Sequence, residues 1–133
     1  MQIALQLNWL AVVAAAVSAF ALGGLWYGPL FKHAWCREAG IDPDAKPGHP
    51  GRVFATAFAA ALVAAAAFAC WLGPAPELEH AVRSGVLAGL GFVAMGFAIN
   101  YAFAGRSLKL WLIDGGYHTM QFALYGLVLG AWH

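Results

Sequence analysis

The stretch LWLIDGGYHTMQFALYGLVLGAW, Leu110 to Trp132, is long enough to cross a membrane, yet it carries Asp114 and His118 one helical turn apart. Charge in hydrocarbon is costly, so such residues usually face a protein interior and often serve function. On a 3.6-residue period Trp111, Asp114, His118, Gln121 and Tyr125 share one stripe, and Ile113, Met120, Leu124 and Leu127 fall on the opposite side. Between them lies a strip of Gly115, Thr119, Gly126 and Gly130, which lets a neighbouring backbone approach closely. The pattern predicts a helix that is packed on two sides and meets lipid on the third.

The rest of the chain agrees with a membrane setting. Of its 133 residues 62% are hydrophobic and 10% charged, against about 25% charged in soluble domains. Four apolar stretches account for this: Leu7 to Phe31, Val53 to Leu72, Ser84 to Phe103 and Leu110 to Trp132. Each has the roughly 20 residues that span a hydrocarbon core about 30 Å thick. The first stretch has no basic n-region before it and exceeds the ~7–15 apolar residues of a signal peptide, so it reads as a mature helix. The expected fold is all-α, a single transmembrane domain over residues 1–133 built as an integral membrane four-helix bundle.

Orientation follows from the lysines and arginines. The 32–52 loop carries Lys32, Arg37, Lys46 and Arg52, and the tight loop after the third helix carries Arg106 and Lys109. The opposite side has Arg83. By the positive-inside rule both basic loops are cytoplasmic, giving an N-out/C-out arrangement. Trp26, Tyr27, Trp35, Tyr101 and Trp111 cluster near the cytoplasmic interface and Trp9, Trp71 and Trp132 near the other, where they read as anchors. Gly28-Pro29 ends or bends the first helix, Phe31 to Ala39 reads as a short interfacial helix, and the Pro- and Gly-rich run Gly40 to Gly51 as an irregular loop.

The third helix presents Gly85, Gly89, Phe92 and Gly96 on a face leading to Asn100, and Gly85 to Gly89 has the same small-xxx-small spacing as Gly126 to Gly130. The short Ala104 to Leu108 connection makes the third and fourth helices antiparallel neighbours. That places Asn100, Asp114, His118 and Gln121 in one polar cluster in the cytoplasmic half, with Tyr101, Tyr117 and Arg106 as closing partners. Gly85, Gly89, Gly96, Gly115, Gly126 and Gly130 are the expected helix-packing residues.

Burial favours the neutral forms of Asp114 and His118 and mutual pairing favours the charged ones, so the spacing sets their proximity without setting their charge. Three uses remain open: a structural pair fixing register, a binding or proton-coupled transport site, or a contact for another subunit. Enzyme motifs are absent: there is no phosphate loop, zinc-protease pair or nucleophile elbow. No cofactor is implied. Only His118 lies at membrane depth among the histidines, and His33 with Cys36 supplies two metal ligands without a third. Cys36 and Cys70 are separated by most of the second helix, about 27 Å, too far for a disulfide. A net charge of +1 gives no case for nucleic acid. The second helix sets Ala57, Ala61, Ala65 and Ala69 at i+4 spacing, a smooth surface for close association, and four short helices leave little room for a solute path. The expected partners are therefore the bilayer and either further copies of the chain or a larger membrane complex.

Asn8-Trp9-Leu10-Ala11-Val12, Leu22 through Trp26-Tyr27-Gly28-Pro29 to Phe31 with Trp35, and Ile99-Asn100-Tyr101 through Gly105-Arg106-Ser107 to Gly116-Tyr117-His118 and Gln121 resemble the small membrane-protein family called domain of unknown function 1761. The resemblance implies a bacterial, four-span, multi-pass protein, which the topology places in the inner membrane. It implies no activity. The leading expectation is an oligomeric ligand-binding or transport-like protein centred on Asp114 and His118, with a non-catalytic accessory subunit as the alternative.

Overall fold

The computed structural model describes residues 2–45 and 48–133, so Lys46 and Pro47 of the expected cytoplasmic loop lie outside the described residues. All regular structure among the described residues is helical, with 84% helix and no strand. A short helix α1 (Gln2–Gln6) precedes α2 (Trp9–Leu25), which starts at Asn8 because its side chain accepts from the Ala11 N–H. A broken turn, Trp26–Leu30, follows, kinked at Gly28, whose φ −101°, ψ −106° is not helical, with Pro29 next to it. The expected bend is there, and beyond it the chain re-forms as the short helix α3 (Lys32–Ala39), stopped by Gly40 in the left-handed region at φ 73°.

Helix α4 (Pro50–Leu72) begins earlier than the apolar pattern predicts. Proline in the first turn loses no helical bond, and the His49 ring accepts from the Arg52 N–H. Three segments then form one long rod: α5 (Leu78–Ala88), a π-helical turn Gly89–Ala94, and α6 (Met95–Ala104). Gly105 ends it, and α7 (Leu108–Ala131) starts on Ser107, whose hydroxyl accepts from the Leu110 N–H.

Three rods are long and apolar enough to cross a membrane: Trp9–Leu30, Pro50–Leu72 and Leu78–Ala104, with mean hydropathies of 1.9, 2.2 and 1.8. The expectation of four apolar spans is thus met by three. Helix α7 has the length, 24 residues, but its polar stripe lowers its hydropathy. The physical reason is its place in the fold. It packs against α2, α3, α4, α5 and α6 and is the central rod, so much of its surface meets protein and need not suit lipid. Ile113, expected to face lipid, is accordingly buried, whereas Met120 and Leu127 are exposed.

The closest packing is between α5 and α7. A Cβ on Gly85 would lie 2.1 Å from the Phe122 carbonyl oxygen, on Gly89 2.6 Å from that of His118, on Gly126 2.2 Å from that of Ala81, and on Gly130 2.8 Å from the Leu78 Cα. Two glycine pairs one turn apart on each helix thus face the partner's backbone, as the spacing predicts. Gly115 makes a milder contact with the Ala94 Cβ. Gly96 does not take part, since nothing lies within 4 Å of its Cβ direction.

The alanine stripe of α4 also has a different use from the one expected. Ala61, Ala65 and Ala69 are buried in this chain's own core with Ala11, Val12, Ala15, Ala16 and Ala19 of α2. Small side chains on both helices let them approach closely. The stripe is covered within the protomer, and it carries no argument for association between copies; Ala57 alone of the four is exposed.

Candidate functional site

Asp114 sits about 9 Å, six residues at 1.5 Å each, into α7, with 7% of its surface exposed. The Tyr27 hydroxyl donates to its Oδ1 at 2.5 Å, and the Tyr101 hydroxyl donates to its Oδ2. The two tyrosines arrive from two interrupted rods, one kinked at Gly28 and the other carrying the π-helical turn Gly89–Ala94. Both interruptions are pinned to α7 by tryptophan: the Trp26 indole N–H donates to the Ile113 carbonyl at 2.9 Å, and the Trp111 indole N–H to that of Ala94 at 2.7 Å. These rings, expected as interface anchors, are internal ties.

The π-helical turn Gly89–Ala94 also decides which residues of the third rod reach the site. A π turn holds one residue more than an α turn, so it advances the phase of everything after it. Gly89 remains against α7, but Gly96 and Asn100 are carried off that face and their successors Phe97 and Tyr101 are carried onto it. Asn100 is exposed on the outside of the rod, which corrects its placement in the cluster. Phe97 stacks on the His118 ring at 5.1 Å and 17°.

A separate chain of polar groups continues along α7. His118 Nδ1 lies 2.6 Å from Gln121 Oε1, Gln121 Nε2 donates to the Tyr125 hydroxyl at 2.6 Å, and that hydroxyl donates to the Ala61 carbonyl at 3.0 Å. Because the Gln121 amide N–H is used towards Tyr125, its oxygen faces His118, so Nδ1 carries the proton of this bond. The chain therefore has one direction and ends on a backbone carbonyl, which has no proton to pass on. Gln121 is 5% exposed and Tyr125 0%. Replacing Tyr125 with Phe strands one Gln121 N–H, while the Ala61 carbonyl keeps its bond within α4, and is expected to destabilise the fold by about 1–3 kcal/mol, read as a lower melting temperature in detergent.

Of the expected residues, Tyr101 and Asp114 meet directly, and His118 and Gln121 form the second unit. Among the described residues Asp114 and His118 are not bonded to each other. Tyr117 donates to the Ala19 carbonyl at 2.9 Å and stands between the Tyr27 and His118 rings, with centroids 5.4 and 5.0 Å away. Arg106 does not close the cluster: it is exposed, and its Nη1 donates to the Ala39 carbonyl at 3.3 Å. Tyr27 and Tyr125 are the members that the expected cluster lacks. Tyr125 shares the α7 stripe, and Tyr27 adjoins the Gly28-Pro29 break, so both had a signal.

Chemically, the Asp114 carboxylate can accept a proton or a small cation, and with Nδ1 carrying its proton the His118 ring keeps Nε2 as a second acceptor. The ion pairs among the described residues are Arg37 with Glu38 at 3.8 Å and Arg83 with Glu79 at 2.8 Å. Neither involves Asp114. Its carboxylate is held by two hydroxyl donors without a cationic partner among those residues.

The chain is small and all-helical, with three rods long and apolar enough to cross a membrane, packed round a central helix that buries a tyrosine-held carboxylate, the make-up of a helical membrane protein. More particularly, it belongs to the family described as protein of unknown function (DUF1761), which matches residues 10–130. That match spans Asp114 and every residue bonded to it. No curated protein and no solved structure matches the chain.

Proposed function

We propose that this is a four-span, N-out/C-out protein of the bacterial inner membrane, and that it binds a proton or small monovalent cation at Asp114 in a transport-like, non-catalytic role. The observation that carries the reading is the buried carboxylate that makes no ion pair among the described residues. A carboxylate in such a place draws a positive charge from outside the chain. The polar chain from His118 to Ala61 supports one-sided access, because it closes within the protein and leaves Tyr101, which is half-buried, nearer the entrance. The fourth span is α7, admitted to the membrane by the helices around it rather than by its own hydropathy. Basic residues on the α3 side support a cytoplasmic placement of that end.

The test is flux in liposomes. Reconstituted protein under an imposed pH gradient or potassium potential should pass protons or alkali cations, and Asp114→Asn should reduce that flux to the level of empty liposomes. Equal flux in the two proteins would remove Asp114 from the function.

A second reading, an accessory subunit, is favoured by an open groove of about 350 Å³ on the wall of α7 lined by Trp26, Leu90, Trp111, Leu112, Gly116 and Met120 among others. Native mass spectrometry after gentle extraction at natural abundance separates the readings. Co-release with different, larger subunits supports the second, and a homo-oligomer or monomer with a bound small mass supports the first.

A further inference from the structure

Helix α3 is tied to the rest of the protein in an unusual way. It is 8 residues long and lies between two glycine joints, Gly28 in the broken turn before it and left-handed Gly40 after it. Its far end is held by two polar contacts: the Ser107 hydroxyl donates to Glu38 Oε1 at 2.6 Å, and Arg106 donates to the Ala39 carbonyl. Its inner face puts Trp35 edge-on to the Tyr27 ring at 5.5 Å and buries Cys36 to 5% exposure. Tyr27 itself is the residue before Gly28 and donates to Asp114. One joint of the helix therefore carries a ligand of the carboxylate.

We propose that α3 is a gate over Asp114, latched by Ser107 and Glu38, whose opening swings on Gly28 and draws the Tyr27 hydroxyl away from the carboxylate. The proposal rests on Asp114 being the functional centre and names how access to it is controlled. Closed, Trp35 backs the Tyr27 ring and Tyr27 holds the carboxylate from the α3 side. Open, one carboxylate oxygen loses its donor and becomes free to take a proton or cation, with Tyr101 still holding the other. The polar latch and the glycine joints make the two positions differ by a few contacts rather than by a refolded segment.

The buried thiol reports the motion without any ligand. In full-length protein carrying Cys70→Ser, held in nanodiscs, Cys36 is the one cysteine, and its modification rate by an uncharged maleimide measures opening. Ser107→Asp keeps the α7 cap, because aspartate caps well, but sets a like charge against Glu38; Glu38→Ala removes the acceptor. Each is expected to raise the rate about tenfold, the loss of one charge-assisted hydrogen bond. Tyr27→Phe is expected to raise it severalfold, and Glu38→Gln, whose amide oxygen still accepts from Ser107, to stay near the parent rate. A cysteine introduced by Ala65→Cys in the 0% exposed core should remain unlabelled in the latch variants. Parent rates in both Ser107→Asp and Glu38→Ala, an unchanged rate in Tyr27→Phe, or labelling of the core thiol alongside Cys36 would each overturn the gate. Failure here is distinct from failure of the Asp114 reading, which is decided by flux and not by thiol exposure.

Discussion

Gly126→Ala is expected to separate α5 from α7 and destabilise the protein by about 3 kcal/mol or more, at the upper end of what overpacking produces. The added carbon would stand 2.2 Å from the Ala81 carbonyl oxygen, 2.6 Å from its carbon and 2.9 Å from the Val82 Cα. All three are backbone atoms of a helix, so no side chain can rotate away; the rods must move apart and the contacts at Gly85, Gly89 and Gly130 open with them. Gly85→Ala, facing the Phe122 carbonyl at 2.1 Å, should behave alike. Gly96→Ala is the matched control: with nothing within 4 Å it should be neutral or stabilise by about 0.5–1 kcal/mol through the entropy glycine loses in a helix. Tryptophan fluorescence melts in a mild detergent decide the matter. Equal melting of Gly126→Ala and Gly96→Ala would mean that α5 and α7 are not in backbone contact.

The same glycines show what periodicity can and cannot reveal. Gly85 and Gly89, and Gly126 and Gly130, lie one turn apart on regular helix, so their spacing reports a shared face directly. A regular period carried through Gly89–Ala94 puts Gly96 and Asn100 on the α7 face, leaves Tyr101 as a closing partner beside it and passes over Phe97, whereas the structure puts Phe97 and Tyr101 against α7. Nothing in the spacing of side chains marks a π turn, because the extra residue is a property of the backbone. Alanines on α4 likewise signal close approach without saying to what, and the partner proved to be α2 of the same chain. Helix α7 was the most legible element: its polar stripe, lipid side and glycine strip implied packing on two sides, and it is the central rod. Tyr27 falls in the sequence among aromatic residues that amphipathicity alone accounts for as interface anchors, and that common explanation conceals its bond to Asp114.

Asp114→Asn and Asp114→Leu are expected to part company, and their difference separates structure from function at the site. Asparagine has the same shape and keeps an oxygen that can accept from one tyrosine, while the other hydroxyl turns to accept from the amide, so the fold should persist with a loss of about 1 kcal/mol. Leucine leaves both the Tyr27 and the Tyr101 hydroxyl without their acceptor. At about 1–3 kcal/mol for each stranded group, it should destabilise by about 2–6 kcal/mol and impair assembly in the membrane. Adding Tyr27→Phe and Tyr101→Phe to Asp114→Leu removes the stranded donors, and replacing a complete buried polar group by apolar side chains can be neutral or stabilising. The triple variant should therefore melt near the parent temperature. If Asp114 binds the transported or bound charge, that variant is stable and passes no proton or cation in liposomes. A triple variant that is stable and retains the parent flux would make the carboxylate and its tyrosines a device for packing three rods, and the charge-binding role would have to be sought elsewhere in the chain.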